Sequence, residues 1–340
     1  MKLGRRAVVS FLAACALSLG LAPREASAKT VVNIGTLAPK SSPWGAVFKI
    51  WADAVSAKSG GDLELNFHYN GIQGDEALMV GKMKAGQLEG AAVTAVGLGK
   101  IHKPILALQM PGLFASWAKL DAARDALKGE FETGAKDAGF KILGWGDVGA
   151  VHLFSKGFAV KTPDDLKGKK PYMWRDDDTQ PIIFQVIGGV TPVPLSIPEV
   201  LPQLNTGAIN IVNGPALAAE QLQWSSKLDT MNEDVTALAV GAVVMSHKLF
   251  DKSDAERGSL SPEHQKILLD TGAVAARALT LRIRAEDDAA FARMKGKMTV
   301  VSLTADEKAR WAGIFKQVRQ RLAQGTFNAD YVARLEALAK

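Results

Sequence analysis

From residue 30 onward, the apolar positions alternate between short runs of period two and longer stretches of period 3.6. Val31 to Leu37 reads as a strand. Ser42 and Pro43 then open a helix whose apolar positions, Trp44, Val47, Phe48, Trp51, Ala52 and Val55, keep to one face until Gly60-Gly61 ends it. Leu63, Leu65 and Phe67 alternate as a strand, Asp75 to Ala85 gives a helix before Gly86, and Ala91 to Val96 is a buried strand. This β-α-β-α-β order predicts a parallel sheet covered by helices.

A second unit begins near Gly144. Val151 to Phe154 and Lys170 to Trp174 read as strands, and Gln180 to Ile187 and Pro198 to Asn205 as helices. Ile209 to Asn213 is a short strand, Ala216 to Trp224 a helix, and Thr236 to Met245 a long β-like run able to cross back to the first sheet. After Ser261-Pro262-Glu263 the pattern is almost wholly helical, with a capping box at Thr304-Ala305-Asp306-Glu307. No linker separates the two units, so the chain is expected to cross between them more than once and to hold a ligand in the cleft.

The first 28 residues follow another logic. Lys2, Arg5 and Arg6 precede an apolar run from Ala7 to Leu21, and Ala26-Ser27-Ala28 is an A-x-A cleavage signal. This is the pattern of a secretory signal peptide, with Lys29 as the first mature residue. The single cysteine, Cys15, lies inside it, so disulfides, cysteine zinc sites and thiol nucleophiles are excluded from the mature chain. Leu12-Ala13-Ala14-Cys15 also fits a lipoprotein box, leaving lipid anchoring at Cys15 as an alternative fate. Removing the segment takes four basic residues and one acidic from 41 and 35, leaving 37 against 34. A net charge of +3 suits solubility and gives no nucleic-acid footprint.

The candidate chemical motifs are sparse. The five histidines are scattered and form no zinc pattern, and no G-x-S-x-G elbow occurs. Gly144-Trp145-Gly146-Asp147-Val148-Gly149 fits G-x-G-x-x-G, the basis of an alternative reading as an exported nucleotide-dependent enzyme. That reading needs a helix to start within the motif, whereas Ala150 to Phe154 continues as a strand. The segment is therefore expected to be a glycine-rich turn between lobes. Asp176-Asp177-Asp178 reads as a helix start, where negative charge is favoured, before it reads as a metal site. Trp145 and Trp174 stand at strand ends, where ligand-facing aromatics belong.

An ordered series of segments resembles the solute-binding proteins of tripartite ATP-independent periplasmic (TRAP) transporters, of the C4-dicarboxylate-binding type. It runs from Ile34-Gly35-Thr36-Leu37-Ala38-Pro39 through Asn70-Gly71-Ile72-Gln73-Gly74 and Gln109-Met110-Pro111-Gly112-Leu113-Phe114. It continues through Thr162-Pro163-Asp164-Asp165-Leu166-Lys167-Gly168, Gly188-Gly189-Val190-Thr191-Pro192-Val193-Pro194-Leu195 and Leu204-Asn205-Thr206-Gly207. The resemblance implies an α/β, two-lobed periplasmic-binding-protein fold with crossing strands and a long connecting helix. Lobe I would hold residues 29–152 plus about 241–280, and lobe II 153–240 plus about 281–340. It further implies a periplasmic, non-enzymatic protein without cofactor or metal. Such a protein closes on a small organic molecule and delivers it to the small and large membrane subunits of a permease. A ligand-presenting subunit of a membrane sensor is the other alternative.

One departure stands out. Four residues after the glycine of its "D-L-K-G" motif the family pattern has an arginine that pairs with the ligand carboxylate, and here that position is Tyr172. Arg175, three residues later, is open to two readings, ligand contact or surface partner of Asp177. Tyr172 and Trp174 share one side of a strand, and an aromatic wall favours a less polar or larger ligand than a C4-dicarboxylate. Matching segments add Trp44, Gln73, Thr94, Trp145 and Asn213 to the expected ligand-binding residues.

Overall fold

A computed structural model describes residues 29–251 and 259–340. The signal peptide, its cleavage site and Cys15 lie outside the described residues. The chain opens with β1 (Thr30–Thr36), α1 (Pro43–Lys58), β2 (Leu63–His68), α2 (Glu76–Lys84), β3 (Gly90–Thr94), α3 (Ala95–Ile101) and α4 (Trp117–Asp137). A 16-residue strand, β4 (Phe140–Ser155), leads out of this half. Beyond it come β5 (Tyr172–Trp174), α5 (Gln180–Ile187), β6 (Val193–Leu195), α6 (Ile197–Thr206), β7 (Ile211–Pro215), α7 (Ala216–Gln221) and β8 (Thr230–Asn232). The chain returns along β9 (Ala237–Ser246) and finishes with α8 (Pro262–Lys295), β10 (Thr299–Val301), α9 (Ala305–Leu322) and α10 (Ala329–Leu338).

The helix starts follow their capping residues. Ser42 takes the Gly45 N–H on its hydroxyl at the head of α1, whose face of Trp44, Val47, Phe48, Trp51 and Val55 is buried. Trp51 also donates its indole N–H to Thr271 Oγ1 on α8 at 3.0 Å, so the polar edge of a buried aromatic is satisfied. Thr304 and Glu307 form the expected capping box of α9, and Ser261 caps α8.

Eight strands form one sheet in the order β10-β8-β4-β9-β3-β1-β2, with β7 added beside β4, while β5 and β6 pair separately. The expected parallel pairing is present in the first unit, where β1 pairs in parallel with both β2 and β3, and it recurs later in the chain between β8 and β10 and between β5 and β6. The returning strand β9 runs antiparallel to β3 on one side and to β4 on the other, so the sheet is mixed. A strand that carries the chain back must oppose the one that carried it out.

The glycine-rich turn expected at Gly144 to Gly149 is instead the middle of β4, paired with β9 on both sides of two bulges. The glycines serve close packing, because α8 lies against this stretch. A Cβ on Gly144 would stand 2.3 Å from the Ala276 Cβ, and one on Gly146 would stand 2.4 Å from Leu279 Cδ2. Gly149 adds a backbone reason, with φ of +141° at the second bulge. The 34 residues of α8 span about 50 Å and continue unbroken through residues 280 and 281, so both halves rest on one helix. Among the described residues no helix is long and apolar enough to cross a membrane.

Candidate functional site

A cavity of about 260 Å³ opens where β4 and β9 pass between the two halves of the molecule. Strands β1 and β3 and helix α1 wall it from the first half, and β5, β7 and α5 from the second. Of the residues singled out from the sequence, Trp44, Thr94, Tyr172, Trp174 and Asn213 line it together. Their placement follows from local geometry. Trp44 is in the first turn of α1, Thr94 is the N-cap of α3, and Tyr172 and Trp174 project to the same side of β5 by its period of two.

The structure places three candidates elsewhere. Trp145 lies between two close-approach glycines of β4 and projects away from α8. Its ring centroid is 5.8 Å from that of Phe131 on α4 and 5.5 Å from the Arg124 guanidinium carbon. Gln73 accepts a hydrogen bond from Lys82 Nζ at 2.8 Å on the flank of α2. Arg175 follows the end of β5 and reaches outward to Glu199 at 2.8 Å, both side chains about half exposed. Its partner is thus neither a cavity atom nor Asp177.

Asp177 is buried and folds back on its own chain, taking the Thr179 hydroxyl at 2.6 Å and the backbone N–H groups of Thr179 and Gln180 on Oδ1. Asp178 faces Lys100 and Lys103 at 3.3 and 3.7 Å. No group of three metal-type ligands occurs among the described residues. His152 is a core residue, bonded through Nδ1 to the Asn232 carbonyl at 3.1 Å and stacked on Phe291, with its pKa lowered by burial.

Four acidic residues not anticipated from sequence shape the site. Glu76 is fully buried and accepts from Thr94 N–H and, on its other oxygen, from Gly97 N–H and the Thr94 hydroxyl, at 2.7 to 2.9 Å. Burial pushes its pKa up to about 8 against the pull of those donors. Asp147 lines the cavity but is bound by Arg124 at 2.8 Å and Arg284 at 2.6 Å, a quartet closed by Asp121. Asp287 on α8 accepts from Ala150 and Leu217 N–H, both at 2.8 Å, and burial raises its pKa to about 6. Asp75 caps α2 with one oxygen and with the other accepts from Trp174 Nε1 at 2.9 Å and Ile197 N–H at 3.1 Å. A single carboxylate therefore joins the first half to β5 and α6 across the cleft. Asp75 and Glu76 open a helix in the sequence, which signals capping and hides the reach across the cleft.

Tyr172 is the opposite case. Its ring is buried against Trp224, with centroids 6.3 Å apart, and its hydroxyl has no hydrogen-bond partner among the described residues. Burial, with the charges of Asp75 and Asp177 nearby, holds its pKa well above the ordinary phenol value, so the hydroxyl keeps its proton.

Comparison with known proteins adds an independent line. The model of the bacterial extracellular solute-binding protein family 7 matches residues 34–325. A solute-binding protein of Verminephrobacter eiseniae is 26% identical over 299 residues, 86% of this chain and 85% of that protein. The 2,3-diketo-L-gulonate-binding periplasmic protein YiaO of Escherichia coli is 22% identical over 276 residues, 80% of each chain. The fold matches the sugar acid binding protein of Advenella mimigardefordensis in complex with galactonate. There the TM-score is 0.83 at 16% identity, over 92% of this chain and 98% of that one. It also matches a TRAP periplasmic solute-binding protein of Sulfurospirillum deleyianum with bound succinate, at a TM-score of 0.82 and 17% identity, over 92% and 99%.

Proposed function

The chain belongs to the bacterial extracellular solute-binding proteins of family 7, and we propose that it works in the periplasm as the capture subunit of a TRAP transporter. It binds one small organic molecule in the cavity between its halves, closes on it, and hands it to the small and large membrane subunits of the permease. Family members are transport binding proteins, and this chain is read as one of them rather than as an enzyme. The lobe division at 29–152 with 241–280, and 153–240 with 281–340, belongs to the same reading, with α8 shared between lobes.

The observation that carries it is the Asp75 carboxylate, which holds Trp174 and Ile197 from the other side of the cavity. Contacts of this kind tie the two sides of the cleft together, so they favour the closed state that a ligand selects. Trp44, Thr94, Tyr172, Trp174 and Asn213 are proposed as ligand contacts, drawn from both sides of the cleft. The alternative of a nucleotide-dependent enzyme loses its phosphate cradle, because the glycine motif is inside β4 and opens no helix.

The test is a thermal-shift screen of small organic compounds followed by small-angle scattering. A ligand at 100 times its Kd adds about 2.7 kcal/mol of stability. The same ligand is expected to lower the radius of gyration, and a stabilising ligand that leaves the radius unchanged argues against closure.

A further inference from the structure

Two glutamines at the cavity have their amide groups fixed by the backbone. Gln109 closes the short 3-10 helix Lys103–Gln109 in the first half, and its Oε1 accepts the Val240 N–H of β9 at 2.9 Å. Gln180 is the first residue of α5 in the second half, and its Oε1 accepts the Trp174 N–H of β5 at 2.8 Å. A backbone N–H can only donate, so each oxygen is committed and each NH2 group must face another way. Both side chains line the cavity, and among the described residues neither amide nitrogen is bonded elsewhere or enclosed. Asn213 adds a third lining amide without a partner among the described residues, carried on β7 beside Leu153 of β4.

Among the described residues no lysine, arginine or histidine lines the cavity. The acids that line it are already answered. Burial keeps Glu76 largely protonated at neutral pH, Asp147 has two guanidinium partners, and Asp177 is tied to Thr179 and Gln180. The space between the halves therefore offers neutral N–H donors, drawn from both sides, and no cation.

What such a set can hold follows from its chemistry. A carboxylate that accepts two or three neutral N–H groups is stabilised in its charged form, so one negative charge can be buried here. A second charge would lose its water and find no partner, which is unfavourable. The rest of the lining is largely aromatic, with Trp44 and Phe48 from α1, Trp174 from β5, Phe184 from α5, and Trp311 and Phe315 from α9. Rings of this kind match an apolar body better than a polyhydroxylated one.

Resting on the solute-binding reading, we propose that the ligand is an organic acid with one carboxylate and an apolar body, and that the Gln109 and Gln180 amides are the donors that select it. Each glutamine contributes from a different half, so holding the carboxylate also favours the closed state. Aromatic surface supplies much of the affinity, and the amides supply orientation and the limit of one charge.

The experiment uses the protein purified from the periplasm of an expression host, with phenylacetate, indole-3-acetate and hexanoate as probes. Their amides, phenylacetamide, indole-3-acetamide and hexanamide, and the acids succinate and galactonate complete the panel. Titration calorimetry is expected to show a monoacid binding about five- to tenfold more tightly than its amide, because a charged acceptor makes the stronger hydrogen bond. Gln109→Glu and Gln180→Glu keep the oxygen that serves the backbone and replace the donor with a second oxygen. Each is expected to weaken the acid about tenfold or more and to reverse the preference, so that the amide binds more tightly than the acid. Damage to the fold would weaken acid and amide alike, so the reversal separates a ligand contact from a structural role. An unchanged acid-to-amide ratio in both variants, amides that match their acids in the wild type, or succinate binding more tightly than every monoacid overturns the proposal. Binding of galactonate without the three apolar acids rejects the apolar body and leaves solute capture standing. Absence of binding by all eight compounds counts against both.

Discussion

Trp174 donates its indole N–H to Asp75 Oδ2 at 2.9 Å, and the same oxygen receives the Ile197 N–H at 3.1 Å. One carboxylate at the head of α2 therefore ties two elements of the opposite half, and the aromatic wall of the cavity is also part of its clasp. The indole edge is committed to Asp75, which leaves the ring face for a ligand.

Trp174→Phe keeps an aromatic face and removes one of the two hydrogen bonds of the clasp. A hydrogen bond to a charged acceptor contributes about 1.5–3 kcal/mol, so ligand affinity is expected to fall by about 10- to 100-fold. On the proposed reading the bond belongs to the closed state, so the ligand-free melting temperature is expected to move little. Scattering of the variant with saturating ligand should still show compaction, and a large loss of ligand-free stability would place Trp174 in the fold rather than the clasp.

Arg175→Ala is expected to leave ligand affinity unchanged within about twofold. Its partner Glu199 is on the surface with it, and exposed ion pairs contribute about 0–1 kcal/mol. Calorimetry decides the matter, and a loss of tenfold or more would bring the arginine into the cavity.

Gly144 has Ala276 as its immediate neighbour across the interface of β4 with α8. Gly144→Ala forces two methyl groups to an impossible 2.3 Å, and the shift that relieves it is expected to cost about 1–3 kcal/mol. Adding Ala276→Gly should recover much of that loss in urea unfolding, because the two sites are coupled by contact. Simple addition of the two single effects would show that the glycine is there for another reason.

Glu76 sets a pH dependence. Its carboxyl is pushed up from 4.5 to about 8, so between those values the folded chain binds more protons than the unfolded chain. Stability then rises as pH falls through this window, by about 1.4 kcal/mol per pH unit at most, and flattens below the unfolded value. Melting temperatures from pH 8.5 to 5.5 should climb in the wild type and climb less in Glu76→Gln. A profile that falls toward pH 5.5 would contradict the assignment.

The sequence carried the elements that state their own limits. Ser42-Pro43 and Thr304 announce helices, and the alternation of Tyr172 with Trp174 put both on one face. Gly144 to Gly149 misled, since glycines needed to let a helix approach look the same in sequence as glycines needed for a turn. The mixed sheet was equally hidden, because the direction of β9 depends on where the chain returns. In the site, Trp145 and Arg175 carried suitable chemistry but the wrong orientation, which strand pleat and strand ends decide. Asp75, Glu76 and Asp287 looked like ordinary helix acids, and their partners are 18 to 137 positions distant.

The central claim is that one solute is captured in the cleft between the halves. It is tested most directly by titration calorimetry of the periplasmically purified protein against a panel of small organic acids and neutral organic compounds, in parallel with Trp174→Ala. The expected result is saturable binding of one molecule per chain that is lost in the variant while its far-ultraviolet circular dichroism stays unchanged. Binding that survives in Trp174→Ala, or the absence of saturable binding across the panel, would contradict it.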